Sequence, residues 1–391
     1  MATSTPLTLG QVSSLCRSAL TRCGLHAGGV AAVTDVIVAA ERDSAKSHGI
    51  FRLPGYCAAL LHGKVDGGVL PSVIDAAPSV VVVDAHGGFA PPAFQAGRTA
   101  LVQKAHEAGI AVMAVRNQCH FAALWFEAEA LAAEGLGSMA FVNSKAFVAH
   151  PGATSGRLYG TNPMAFGWPR PHGPPLVFDQ ASAAVARGEI QMLSAREGAT
   201  LPAGAAIGRD GLPTTDPREA LAGSQLPFGG VKGGNISLMV ELLAGALTGS
   251  DFAFETDAND PDWFGPTANG ELLIAFAPAK FGVASASASA SASASASAFA
   301  SASASVTASA SAAATERAEA LLHKVEAAGS EARLPGSRRA EHRARLEAEG
   351  EAAVVSVDAK LVAEIETIID GGWPHSQQYV PPRAPSPHPG T

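Results

Sequence analysis

The sequence predicts an α/β fold. Segments with the apolar spacing of helices alternate with short apolar runs of strand length, and residues 79–84 hold four consecutive valines, as a buried strand does. At 391 residues, with 47% apolar and only 16% charged side chains, the chain has core enough for two lobes or one large α/β unit.

Each element has a local reason. Thr8-Leu9-Gly10-Gln11 reads as a capping box opening a helix with apolar positions Val12, Leu15, Cys16, Ala19, Leu20 and Cys23, stopped by Gly24. A second helix is expected over 30–46, ending at the Ser47-His48-Gly49 corner. The valine strand 79–84 is followed by a helix over 94–108 and a strand over 110–116 that delivers His120 to its far end. A helix over 125–134, strands over 137–143 and 176–179, a strongly apolar helix over 236–248 after a glycine-rich turn, and a strand over 271–281 complete the regular part. From 284 to about 314 the chain is nearly pure Ser-Ala alternation, with too little apolar area to offset ordering entropy; it reads as a flexible low-complexity insertion, or else a frayed helix. A charged amphipathic helix over 315–328, a basic segment, a helical run over 361–369 and a Pro-rich, disordered tail from Trp373 follow.

Composition excludes several functions. A net charge of −8 argues against a nucleic-acid platform. No apolar run is long enough for a membrane span, and the first twenty residues lack the layout of a secretory signal. Cys16, Cys23, Cys57 and Cys119 form no CxxC pair, so no metal site is expected; buried reduced thiols and a cytoplasmic location fit.

Two histidines stand where core elements end. His48 lies in Lys46-Ser47-His48-Gly49-Ile50-Phe51-Arg52 and His120 in Asn117-Gln118-Cys119-His120-Phe121. Imidazole exchanges a proton near neutral pH, and arginine grips a carboxylate in a bidentate fork, so His48 with Arg52 suggests an enzyme acting on a small carboxylic acid. On one helical turn, His48 and Arg52 would face the same way. The helix start at 120–124 has unpaired amides that suit an anion such as pyrophosphate, or is an ordinary βα loop. Gly160-Thr161-Asn162-Pro163 is a tight turn with a hydroxyl to offer a substrate. Phe178-Asp179-Gln180-Ala181 ends a strand; in the Ala186-Arg187-Gly188-Glu189 that follows, Glu189 could relay a proton or be a solvated charge. Phe228-Gly229-Gly230-Val231-Lys232-Gly233-Gly234 suits close approach to a phosphate, although P-loop spacing is missing and no GxGxxG occurs. The basic turn Arg333-Leu334-Pro335-Gly336-Ser337-Arg338-Arg339 would account for a 2′-phosphate, favouring NADP over NAD, or is a solvated loop.

Together these segments resemble the malate/L-lactate dehydrogenase family that lacks a Rossmann fold. The resemblance covers roughly 8–282 and resumes near Arg333. Ser47-His48-Gly49 with Arg52-Leu53-Pro54-Gly55-Tyr56 is similar to that family's N-terminal signature, and His120-Phe121, Gly160-Thr161-Asn162-Pro163 and Lys232-Gly233 follow in its order. Within the family, His120-Phe121-Ala122-Ala123-Leu124-Trp125, residues 143–150 and residues 239–245 resemble the Δ1-piperideine-2-carboxylate/Δ1-pyrroline-2-carboxylate reductases. Lys232-Gly233-Gly234-Asn235 departs from the Lys-Gly-Tyr-Gly turn common in malate-type members, and Arg187-Gly188-Glu189 from their Gly-Lys.

The resemblance implies a homodimer and a nicotinamide-binding domain on a largely antiparallel sheet, inserted in a mixed α/β lobe. Boundaries are then expected at 1–75 and 315–372 for the first lobe, 76–283 for the inserted domain, 284–314 for the Ser-Ala insertion and 373–391 for the tail. It implies NADPH, with NADH possible, reducing a cyclic imino acid to L-pipecolate or L-proline. Catalysis falls to Ser47, His48 and Glu189, and substrate binding to Arg52, Thr161, Arg187 and Gly188. Cofactor contacts fall to His120, Phe121, Ala122, Ala123, Leu124, Asp179, Gln180, Ala181, Val231, Lys232, Arg333, Leu334, Pro335, Gly336, Ser337, Arg338 and Arg339. The rival readings are a 2-hydroxyacid dehydrogenase using NAD(P) and, because the insertion interrupts the chain before the basic turn, a catalytically silent binding or scaffold protein.

Overall fold

Strand β1 (Ser4–Thr8) passes into helix α1 (Leu9–Arg22) through the expected capping box: Gln11 N donates to Thr8 Oγ1 at 3.2 Å and Thr8 N to Gln11 Oε1 at 2.8 Å. The computed structural model describes residues 4–119, 122–153, 156–259, 268–281, 314–350 and 353–372. The expectations for His120 and Phe121, for the Ser-Ala stretch up to 313 and for the tail from 373 lie outside the described residues.

Helix α2 (Ala27–Arg42) ends at Arg42 instead of continuing to 46. Ser44 turns left-handed at φ 57°, and the bonds Ser44 N to Glu41 O (3.2 Å) and Ala45 N to Ala40 O (2.8 Å) close the helix in the manner usually reserved for glycine. Two short 3₁₀ turns, Lys46–His48 and Ile50–Arg52, then lead into α3 (Leu53–Leu61). Next come β2 (Ser72–Ala77), β3 (Val80–Asp84) and α4 (Ala90–Ala108), which starts earlier than expected because its prolines sit in the first turn, where no N–H is missed. They are followed by β4 (Ile110–Cys119), α5 (Leu124–Ala133), β5 (Gly137–Val142), β6 (Met164–Trp168), β7 (Leu176–Gln180) and α6 (Arg187–Ser194). A small unit of β8 (Ala206–Ile207), β9 (Pro213–Thr214), α7 (Pro217–Ala222) and β10 (Ser224–Gln225) was not foreseen.

Helix α8 (Val231–Val240) begins before the expected 236 and continues as a π-helical turn, Glu241–Ala246. Lys232, Gly233 and Gly234 are therefore helical, not a phosphate loop. Those glycines serve packing: a Cβ on Gly233 would sit 2.0 Å from Phe228 O, and one on Gly234 2.5 Å from Pro151 Cγ. The chain continues through α9 (Ala253–Asn259), β11 (Ala268–Phe276), α10 (314–326), α11 (Ser337–Glu349), β12 (Val354–Asp358) and α12 (Ala359–Ile369). Strand β11 stops at Phe276, and Pro278–Phe281 is a 3₁₀ turn where strand was expected.

The main sheet has seven strands in the order β2-β3-β4-β11-β5-β6-β7, and only β3–β4 is parallel. It is the expected largely antiparallel sheet of a non-Rossmann malate/L-lactate dehydrogenase-like fold. Strand β11 fills the centre, pairing Leu273 with Met113 on one side and Ala140 on the other. Helices α4 and α5 cover one face with Phe94, Leu101, Leu124 and Leu131, packed on Val81, Val83, Met113 and Leu273. The valine strand is buried on that face only; Val80 and Val82 are half-covered. A second core joins both ends of the chain. Antiparallel β1 and β12 pair Ser4 with Asp358 and Thr8 with Val354, and Leu20, Ile37, Leu53 and Tyr56 pack with Val355, Ile365 and Ile368. Strand β2 belongs to the main sheet, so the boundary drawn after 75 falls inside it. All four cysteines are buried and unbridged. Among the described residues no helix is long and apolar enough to cross a membrane, and no cluster suited to a metal occurs.

One polar pair lies inside the sheet. Glu127 of α5 and Glu271 of β11 are both buried with their carboxyls close to each other, and Gln118 Nε2 donates to Glu271 Oε2 at 3.2 Å. Burial, and then the adjacent Glu271, hold the Glu127 carboxyl well above the usual range. A raised folded-state pKa contributes stability that is full below the unfolded pKa of about 4.3 and is lost as pH rises toward the folded value. Glu127→Gln removes that loss, so its thermal midpoint should move from parity with wild type near pH 4 to an advantage at pH 8. Parallel pH profiles in differential scanning calorimetry would refute the raised Glu127 pKa.

Candidate active site

The Ser47-His48 corner is built on a buried acid. Glu41, in the last turn of α2, accepts Ile50 N at 2.8 Å, and a Cβ on Gly49 would lie 2.0 Å from Glu41 Oε1. Only glycine lets the chain cross here, and the crossing separates the two 3₁₀ turns that carry His48 and Arg52. Their relation is thus two successive turns, not the single helical turn expected. Lys46 Nζ ties the corner to Ser356 O of β12 at 3.0 Å.

Ser47 Oγ and His48 Nδ1 are 3.1 Å apart, and Arg52 Nε donates to Ser47 O at 2.7 Å. Burial lowers the Arg52 pKa, with Tyr56 working against the shift. Desolvation strengthens the attraction of such a guanidinium for an incoming carboxylate. Gly188 closes on it from the far wall: a Cβ there would meet Arg52 Nη2 at 3.6 Å.

These groups line a cleft of about 1250 Å³. Its walls come from four separate stretches: Asp43 to Arg52; Thr161 and Pro163; Asp179 to Ala181 with Ala186 to Gly188; and Glu331 to His342. Trp125 also lines it. The space exceeds the ~300–1,000 Å³ typical of a single small-ligand pocket, which fits a dinucleotide together with a small acid. Arg187 stacks 4.3 Å over the Phe147 ring; its Nη1 is a buried donor with no acceptor among the described residues. Burial, helped by nearby Arg157, brings Arg187 down to about 10, still cationic at neutral pH.

The anion site expected at the start of α5 is already filled. Asp179 Oδ2 accepts Trp125 N at 3.1 Å, and the Leu124 amide also bonds that carboxylate. Burial nevertheless pushes Asp179 up to about 6, against the pull of those amides and of Arg339. A pyrophosphate therefore finds a carboxylate at this helix end, and its charge must be met elsewhere.

The basic turn brings cations to the cleft. Arg339 stands 5.1 Å over the Trp125 ring and donates to Val177 O at 2.9 Å, docking the turn on β7. Arg333 and Arg338 are exposed at the cleft and make no hydrogen bond or ion pair to another described residue. Helix α11 is held in place by Arg343, which bonds Asp43 (Oδ2 at 2.5 Å) and Glu129, and by His342 Nδ1 at 2.6 Å from Arg42 O.

Most of the expected site residues thus meet: Ser47, His48, Arg52, Thr161, Asp179, Gln180, Ala181, Arg187, Gly188 and 333–339 all line the cleft. Others do not. Glu189 is exposed one residue beyond the lining; Ala122, Ala123 and Leu124 are buried behind it; Val231 and Lys232 are exposed at the start of α8. Asp43, Ser44, Trp125, Glu331 and His342 line the cleft without having been singled out for it. A capping-type Asp-Ser after α2 was the one local signal available for the first two.

Comparison with known proteins agrees with this geometry. A family model described as malate/L-lactate dehydrogenase matches residues 7–310. The Δ1-pyrroline-2-carboxylate/Δ1-piperideine-2-carboxylate reductase of Pseudomonas aeruginosa is 42% identical over 360 residues, covering 92% of this chain and 99% of that protein. Its counterpart in Pseudomonas syringae pv. tomato is 42% identical over 338 residues, covering 85% and 89%. The crystal structure of Δ1-piperideine-2-carboxylate reductase from P. syringae pv. tomato superposes with a TM-score of 0.80 at 39% identity, covering 93% of this chain and 99% of that one.

Proposed function

The chain belongs to the malate/L-lactate dehydrogenase family, and from that premise we propose that it reduces the C=N bond of a cyclic imino acid with NADPH. Δ1-Piperideine-2-carboxylate would give L-pipecolate and Δ1-pyrroline-2-carboxylate L-proline. One observation carries the reading beyond similarity: an imidazole paired with a hydroxyl and a desolvated guanidinium face the same cleft from adjacent turns. The nicotinamide, when bound, supplies the hydride that C2 of the imine accepts.

The chain's own groups do the rest. Arg52 receives the carboxylate, held in aim by Ser47 O, and Thr161 lines the facing wall. His48 holds the proton destined for the ring nitrogen, with Ser47 Oγ at its Nδ1 to fix the ring and pass a proton on. Protonated C=N is a far better hydride acceptor than neutral C=N, so a proton donor beside the carboxylate clamp is what the reaction requires. Arg187 and Gly188 complete the substrate wall. Arg333 and Arg338, cations at the cleft without a partner among the described residues, suit the 2′-phosphate that distinguishes NADPH from NADH.

A homodimer is part of this proposal. Val231, Leu238, Leu242 and Leu247 form an exposed apolar stripe along α8 and its π continuation, a face that a second copy would cover. Multi-angle light scattering should give twice the chain mass; a monomeric mass at micromolar concentration would reject it.

His48→Ala should lose at least about a hundredfold in kcat on the cyclic imines, the lower end of general acid–base contributions, while NADPH fluorescence titration still reports binding. Turnover on both imines but not on pyruvate or oxaloacetate separates imine reduction from 2-hydroxyacid dehydrogenation; the opposite pattern would overturn the reading. Absence of NADPH binding would favour a catalytically silent protein. The paired change Arg333→Ser with Arg338→Ser should raise KM for NADPH about tenfold or more, a loss of ~1.4 kcal/mol or more, and leave KM for NADH near its original value. An equal effect on both cofactors would remove the basic turn from 2′-phosphate recognition.

A further inference from the structure

Behind the substrate wall lies a carboxylate that the proposed mechanism does not use. Glu241 is buried where α8 passes into its π-helical turn. Its Oε1 accepts Asn162 Nδ2 at 2.8 Å and Gly160 N at 3.4 Å. Its Oε2 accepts Ala253 N at 3.0 Å and Asn143 Nδ2 at 3.2 Å. All four donors are amide N–H groups, and among the described residues no cation lies within ion-pair distance. Four donors fill the acceptor sites of an ionised carboxyl; a carboxylic acid would turn a proton against one of them. Burial pushes Glu241 up, and the bonds from Asn162, Ala253, Asn143 and Gly160 oppose it.

What Glu241 grips is the turn that bears Thr161. Asn162 has a left-handed backbone at φ 41°, a conformation that costs a non-glycine residue energy and is held by its surroundings. The imposing contacts are Glu241 and, one helical turn before it on the same face, Ser237, whose carbonyl accepts Asn162 Nδ2 at 3.0 Å. Ser237 Oγ also reaches Ser182 Oγ at 2.9 Å, and Ser182 N donates to Thr161 O at 2.9 Å. Thr161 thus stands between two residues held by one carboxylate oxygen, with its own carbonyl tied to the same helix face through Ser182. A π-helical widening at this point lets α8 present Glu241 to Ala253 as well as to the turn.

We propose that Glu241 is a positioning residue for the substrate: by holding Gly160 and Asn162 it fixes Thr161 in the cleft wall that receives the imino acid. The proposal rests on the imine-reductase reading. It predicts a substrate-side defect with the cofactor side intact, which a general loss of packing would not give.

The test is a double-mutant cycle with separate readouts. Glu241→Gln puts an NH₂ among four donors, so it should raise KM for the imino acid about tenfold or more, while the Kd for NADPH by fluorescence stays within about twofold. In a Thr161→Ala background the same change should add little, because the two act as one unit. Asn162→Gly, which accepts the left-handed backbone but loses the grip, should raise the same KM and serves as the probe if Glu241→Gln proves too unstable to assay. An unchanged imine KM in Glu241→Gln, or in Asn162→Gly where that variant serves as the probe, would overturn the proposal. So would losses that multiply in the Thr161→Ala background, or equal weakening of imine and NADPH. Wild-type enzyme inactive on both imines but active on an oxo acid overturns the imine reading alone, and the cycle is then read with that oxo acid.

Discussion

The placement of the basic turn depends on one buried carboxylate. Asp43, at the end of α2, has a side chain closed to solvent, and it is held between Arg42 at 2.8 Å and Arg343 of α11 at 2.5 Å. Burial alone would raise its pKa, but the bonds from Arg343 and Arg42 overcome that and hold it below the usual carboxylate range. Arg343 reaches on to Glu129 of α5, so one guanidinium fastens α11 to both α2 and α5. A buried ion pair is weak evidence for stability, because desolvation consumes much of its attraction. Its use here is registry. It acts together with the bonds of His342 to Arg42 O and of Arg339 to Val177 O, which also set α11, and with it Arg338 and Arg339, over the cleft.

This acid and the Glu127–Glu271 pair act on stability in opposite directions. Asp43 has a depressed pKa, so its contribution is present above the unfolded value and fades as pH falls through the folded one. Glu127 has a raised pKa, and its contribution fades as pH rises. The folded state is thereby bounded on both sides by carboxyls in the same neighbourhood, one given cations and the other denied them. The difference follows from position: Asp43 lies at a lobe seam that arginines can reach, and Glu127 and Glu271 lie between a helix and a central strand.

Local features were legible because their causes lie within a few residues. The capping box at Thr8, the valine strand and the starts of α1 and α5 need only neighbours in sequence to be read. The end of α2 was misread because Ser44 does what glycine usually signals, and the start of α8 because glycines that serve close packing resemble those of a loop. Pairings between distant stretches left no trace: β1 with β12, β11 between β4 and β5, Asp43 with Arg343. The site was legible in part for the same reason. His48 with Arg52, Thr161 and the basic turn each carry their own chemistry, whereas Asp43 and Glu241 gain meaning only from what folds against them.

A parallel open sheet would have offered a crevice at the ends of its strands, where the order reverses and helix N-termini face an anion. This sheet has a single parallel pair, and the helix start best placed for an anion is closed by Asp179. The cleft forms between separate cores instead, with His48 and Arg52 beside the core of Ile50 and Leu53, and Arg187 beside a small cluster that includes Val185 and Ile190. Catalytic geometry then depends on how the lobes meet, and hydride transfer tolerates little error in that distance. One set of fixed contacts answers the demand: the bonds of Glu241 to the Thr161 turn. They stiffen the wall that faces Arg52. On the proposed reading, a site assembled from four distant stretches can in this way hold a small ring between His48 and Arg52 without the nucleotide loop of a Rossmann fold.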